Sequence, residues 1–141
     1  MILTINKTAV KSGLALSKKD HAFKSLGAKL EEIRLGGAKV SLKITKDHTN
    51  GHGYGHGGTI FTLADATFGF ACNSYNVKSV AQHCTITYIL PVKEGDFLVA
   101  EAVEIKKYGR TAIYDVTVKN QTLEIVAVFR GHSRDVGGNL F

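Results

Sequence analysis

Residues 46–75 read KDHTNGHGYGHGGTIFTLADATFGFACNSY. The first half of this stretch breaks every periodicity, because five of the eight residues from Gly51 to Gly58 are glycine. Such a run is a loop whose backbone takes unusual angles or approaches something closely. The second half, from Thr59 to about Tyr75, is apolar nearly all round. It is too long for an ordinary strand and reads as a buried helix, weakened slightly at Gly69.

On the N-terminal side, residues 1–17 show no usable pattern and are expected to be irregular. Ser17 to Leu26 predicts a short helix, with Ala22, Phe23 and Leu26 on one face and Gly27 as its stop. Two alternating runs follow, Leu30-Ile33-Leu35 and Val40-Leu42-Ile44, joined at Gly36-Gly37 as a β-hairpin. Beyond the apolar helix come four more strand-like runs: Val80–Leu90, Phe97–Lys106, Thr111–Lys119 and Leu123–Gly131. The tail from Ser133 reads as loose. One apolar helix cannot stand in water alone, and a curved antiparallel sheet wrapped round it would bury it. Patterning therefore predicts an α+β fold in a single domain spanning 1–141.

The chain of 141 residues is long enough to bury a core without staples. Met1 to Lys11 lacks the apolar core of a signal peptide, and no apolar run is long enough to span a membrane. Both points favour a cytoplasmic protein, in which Cys72 and Cys84 are small buried hydrophobes rather than a disulfide. A net charge of +6 suits an anionic partner or simple solubility. The lysines are scattered without interleaved aromatics, which argues against nucleic acid.

Between Gly57 and Val77 the only charged residue is Asp65. A carboxylate in dry surroundings costs several kcal/mol unless it is paired or neutralised. It either caps or pairs with something, or it works in a desolvated cleft where its reactivity is raised. The glycine loop runs straight into the same helix. A helix's first-turn N–H groups point outward, and glycines at Gly57 and Gly58 would let a ligand approach them. This geometry suits an oxyanion or a phosphate. Gly57 and Asp65 are eight residues apart, roughly 12 Å along one helix at about 1.5 Å per residue. They cannot both reach one reacting carbon, so a joint site requires two chains, with two equivalent sites in a two-fold dimer. His48, His52 and His56 are spaced by four, but the intervening glycines forbid the helix that would align them as metal ligands. Asn50 and His56 more plausibly hydrogen-bond substrate or water, or shape the loop.

Taken together, Asn50-Gly51-His52-Gly53-Tyr54-Gly55-His56-Gly57-Gly58 and Phe61-Thr62-Leu63-Ala64-Asp65 resemble the hotdog-fold thioesterases of the phenylacetate-degradation type. That family's pattern runs N-x-H-G-x-x-H-G-G and then F-x-L-A-D. Similarity continues at Ala71–Ser74, Cys84–Ile86, Tyr114-Asp115 and Val128–Gly131. The resemblance implies a curved antiparallel sheet around a long central helix, in dimers that commonly pair into homotetramers. It implies metal-free hydrolysis of acyl-coenzyme A, with no cofactor, coenzyme A being part of the substrate. By position, the Gly57 N–H would polarise the thioester carbonyl and His56 would hold the loop. Asp65 of a second chain would attack or activate water, near Asn50. Some relatives carry a hydroxyl in the next strand where this chain has Ala81, so Gln82 or His83 would have to substitute. Gly58 would face the substrate, and Arg110 and Arg130 are candidates for the coenzyme A phosphates. An aromatic acyl group is favoured, with medium or long fatty acyl groups as the alternative. A hotdog hydratase is disfavoured, because no histidine follows Asp65 until His83. A non-catalytic acyl-coenzyme A-binding module would keep the loop but has no need of the acid.

Overall fold

The computed structural model describes residues 5–141. Its elements are α1 (Lys7–Lys19), α2 (His21–Leu26), β1 (Lys29–Arg34), β2 (Gly37–Lys43), α3 (Gly57–Asn73), β3 (Ser79–Tyr88), β4 (Phe97–Tyr108), β5 (Thr111–Lys119) and β6 (Ile125–Asp135). A short 3-10 turn, Lys46–His48, opens the glycine loop. The six strands form one sheet in the order β1-β2-β4-β5-β6-β3, antiparallel throughout. The α+β reading holds.

Along α3 the side chains of Ile60, Leu63, Ala64, Thr67, Phe68 and Ala71 are buried. They meet the alternating inner residues of the sheet, among them Val40, Leu98, Ala100, Tyr114, Val116 and Phe129. Alanines at positions 38, 100, 102 and 112 keep the sheet thin, so the bulky rings of α3 can settle on it. The closest approach is at Gly131, where an added Cβ would stand 2.8 Å from the Phe68 ring. Gly131→Ala is therefore expected to destabilise the fold by about 1–3 kcal/mol through overpacking. Thermal unfolding measures this, and an unchanged melting temperature would show that the ring can move aside.

Three expectations are corrected. Residues 1–17 are not irregular: Lys7–Lys19 form a helix, and Met1–Thr4 lie outside the described residues. The Asn6 side chain caps this helix by accepting from Ala9 N–H at 3.0 Å. The expected single helix from Ser17 to Leu26 is broken at Asp20, which ends α1 and caps α2 by accepting from Phe23 N–H at 2.9 Å. The buried face of α1 consists of Ala9, Ser12 and Gly13, so it carries no apolar periodicity to read. The tail is not loose at Ser133 either. β6 runs to Asp135, whose carboxylate accepts from Ser79 Oγ at 2.5 Å and Lys107 Nζ at 3.1 Å.

β3 lies at one edge of the sheet and pairs only with β6 among the described strands. Its ten residues, SVAQHCTITY, include no charge and no proline, and most are exposed. Native edges are normally blunted by such residues. At the start of β3, the Asn73 side chain accepts from Ser79 N–H at 3.0 Å and donates to Ser79 O at 3.1 Å. The C-terminus of α3 is thereby locked to the edge strand.

Candidate active site at the head of the central helix

The glycine loop is held from within. Asn50 Oδ1 accepts from His52 N–H at 3.0 Å and Tyr54 N–H at 3.1 Å. Gly53 sits at φ +83°, a region that favours glycine. Gly55 N–H donates to Val92 O at 2.6 Å, and a Cβ at that position would stand 2.9 Å from the Val92 side chain. The loop therefore lies against the β3–β4 connection, and Asn50 is first of all its organiser. Among the described residues the Asn50 Nδ2 has no acceptor, which leaves that end of the amide for another partner.

The three histidines have separate tasks. His48 Nδ1 lies 3.0 Å from Thr45 N–H and its Nε2 lies 2.9 Å from Leu26 O, which together fit the neutral ring with its proton on Nε2. His56 is the N-cap of α3, its Nδ1 accepting from Gly58 N–H at 2.9 Å. His52 is exposed. Among the described residues no three of His, Cys, Asp and Glu gather as metal ligands.

Gly57 opens α3. Thr59 and Ile60 N–H groups return to His56 O, and Gly58 N–H is taken by the His56 ring. The Gly57 N–H has no acceptor among the described residues, and the positive end of the α3 dipole stands behind it. The reason for the two glycines differs from the expected one. A Cβ at Gly57 would stand 3.1 Å from Tyr88 Cζ, and one at Gly58 would stand 3.1 Å from His56 Nδ1. Side chains of this same chain, rather than open space for a ligand, fill the directions a Cβ would take. A cavity of about 310 Å³ opens beside Gly57, walled by Tyr54, Ile60, Tyr88, Leu90 and Val92.

Asp65 lies two turns further along the same unbroken helix and is half-buried. It takes part in no ion pair or side-chain hydrogen bond among the described residues. Burial holds its carboxyl above the usual aspartate range, and the Asp20 carboxylate adds to the push. Among the described residues neither the capping nor the pairing alternative applies. Burial raises the Cys84 thiol and the Asp65 carboxylate adds to it; Cys84 of β3 packs against the core.

The other expected site residues are dispersed. His83 pairs in register with His132, their rings edge to face at 5.5 Å. Next to His132 in β6 is Gly131, which faces α3, so by strand alternation His132 and His83 turn away from it. Gln82 and His83 sit at a β-bulge and border a separate cavity of about 320 Å³ with Lys106 and Thr111. Within one chain neither joins Asp65. Arg110 is exposed at the β4–β5 turn. Arg130 is not a free cation. Its Nε and Nη2 donate to Asp115 at 2.6 and 2.9 Å, a fork across directly paired positions of β5 and β6. That pairing holds the Asp115 carboxyl below its usual range. Tyr88 lines the cavity beside Gly57, whereas Phe68 and Phe70 are fully buried in the core.

The sequence profile of the thioesterase superfamily matches residues 52–127. The chain is 39% identical to acyl-coenzyme A thioesterase PaaI of Escherichia coli, over 89% of this chain and 90% of that one. The solved structure of the E. coli PaaI protein from the phenylacetic acid degradation operon superposes with a TM-score of 0.94. It is 36% identical and covers 96% of this chain and 99% of that one. A Streptococcus mutans protein solved with bound acetyl-CoA superposes at 0.77, is 28% identical, and covers 79% of this chain and 90% of that one. The unpartnered acid, the free N–H at the helix head and these likenesses agree: the chain belongs to the thioesterase superfamily and has its hotdog fold.

Proposed function

We propose that this protein hydrolyses acyl-coenzyme A thioesters to a free acid and coenzyme A, with an aromatic acyl group such as phenylacetyl or a hydroxylated relative preferred. The observation that carries the proposal is the pairing on α3 of an unclaimed N–H at Gly57 with an unpartnered, half-dry carboxylate at Asp65. The name of the E. coli relative and the acetyl-CoA held by the streptococcal one support the substrate class.

The two groups stand about 12 Å apart on one helix, so each works with its counterpart on a second copy. The uncharged β3 edge supports that pairing, since two copies joined there would extend one sheet across the dimer. Dimers of this kind would pair further into a homotetramer. In each site the Gly57 N–H receives the developing negative charge on the thioester oxygen. Asp65 of the partner subunit then acts in one of two balanced ways. It attacks the carbonyl carbon, the C–S bond breaks, the thiolate of coenzyme A leaves, and water hydrolyses the resulting anhydride. Alternatively it takes a proton from water, whose oxygen attacks the same carbon directly. Asn50 Nδ2 is free to orient that water. No cofactor enters either route, and a coenzyme A thioester as substrate suits a cytoplasmic enzyme. Arg110 and the overall charge of +6 suit the phosphates of coenzyme A.

A panel of acyl-coenzyme A thioesters, with free thiol as the readout, tests the proposal. Arylacetyl substrates are expected to give the highest kcat/KM. A preference for medium or long fatty acyl chains would overturn the aromatic assignment, and no thiol release from any member would overturn the enzyme.

A further inference from the structure

We propose that Tyr88 is the positioning residue of the oxyanion site, clamping the Gly57–Gly58 peptide so that the adjoining Gly57 N–H is already aimed when substrate arrives. The inference rests on the thioesterase reading above, but its evidence is separate. Tyr88 Oη donates to Gly57 O at 2.8 Å, across from the end of β3. Its ring closes the space beside Gly57 Cα, with Cζ and Oη at 3.1 and 3.2 Å from where a Cβ would stand.

The need for such a clamp follows from the chain itself. Glycine is the least constrained residue, helix ends fray, and the preceding loop is rich in glycine. An oxyanion donor works only if it is fixed before reaction, since reorganising during the reaction forfeits the gain. Gly57 has no side chain with which to hold itself. The Gly57 C=O and Gly58 N–H share one peptide plane, which Tyr88 holds at its oxygen and the His56 ring at its nitrogen. The free Gly57 N–H lies on the adjoining plane, one Cα away, so fixing the first plane limits how the second can turn. Tyr88 is 48% exposed, so its hydroxyl could be satisfied by water, yet it is spent on this carbonyl. Because β3 also carries the unpaired edge, Tyr88 links the assembly strand to the catalytic turn of the same chain.

Tyr88→Phe keeps the ring and removes the bond. It is expected to lower kcat about tenfold to a hundredfold, with KM within about twofold and thermal unfolding little changed. Exchange of the Gly58 amide proton, read by NMR, should accelerate in the variant. Combined with Gly57→Ala, which presses a methyl group onto the same ring, the losses should fall well short of multiplicative. Several results would overturn the inference: an unchanged kcat in an active enzyme, a loss confined to KM, fully multiplicative losses, or collapse of the fold. If the wild type releases no thiol at all, the thioesterase reading falls, and unchanged Gly58 exchange in Tyr88→Phe still decides against the clamp.

Discussion

Asp65→Asn is expected to lower kcat/KM for thioester hydrolysis by about a hundredfold to ten-thousandfold, with substrate binding largely retained. The amide has nearly the shape of the acid but can neither attack a carbonyl nor take a proton from water. Its expected effect on stability runs the other way. Burial holds the Asp65 proton to higher pH in the folded chain than in the unfolded one. Such a group stabilises the fold while protonated, and that contribution is lost as pH rises through its folded value. At neutral pH the ionised acid is therefore a burden, and the asparagine variant should melt no lower than the wild type and somewhat higher. An inactive protein with an undiminished melting temperature separates chemistry from folding. In the wild type the acid limb of kcat/KM should lie above the ordinary aspartate range, because it reports this group in the free enzyme. Unchanged turnover in Asp65→Asn would remove the acid from the mechanism.

What could be read beforehand depended on whether each feature was local. The break from glycine loop to apolar helix is written in consecutive residues, and so is the isolation of Asp65. Both survive in the structure, as do the six strands, with burial alternating most plainly along β5. The helix α1 escaped notice because it packs with Ala9, Ser12 and Gly13, where an added Cβ at Gly13 would meet Ile33 and Leu30 at 3.0 Å. A face built from small residues fits closely but has no hydrophobic signature. Arg130 looked free because its partner, Asp115, is fifteen residues away and is brought opposite only by the β5–β6 register. The position of Gly57 at the head of α3 was legible, but the reason for the glycine was not, since Tyr88 arrives from the end of a later strand. Cross-strand neighbours are set by register, and a one-residue slip would change every one of them.

Gly57→Pro removes the proposed oxyanion donor with little other change, and it is expected to lower kcat by about a hundredfold to a thousandfold. Proline is favoured at the first position of a helix, where its missing N–H breaks no helical bond. The preceding residue suits it too, because His56 already has the extended conformation, φ −63° and ψ 134°, that a residue before proline adopts. The ring's Cβ would press on Tyr88 by a few tenths of an ångström, which a half-exposed side chain can yield. The variant also tests the sharing of sites between chains. In a mixed dimer of Gly57→Pro and Asp65→Asn chains, one site joins an intact N–H to an intact carboxylate and the other is doubly broken. Random exchange at equal concentrations makes half the dimers mixed, so activity should recover to about a quarter of wild type from two nearly dead proteins. Recovery requires that the two groups meet from different chains. If exchange is verified by mass and activity stays at the level of the separate variants, each chain works alone, and the 12 Å between Gly57 and Asp65 would have to be closed by a rearrangement of α3 itself.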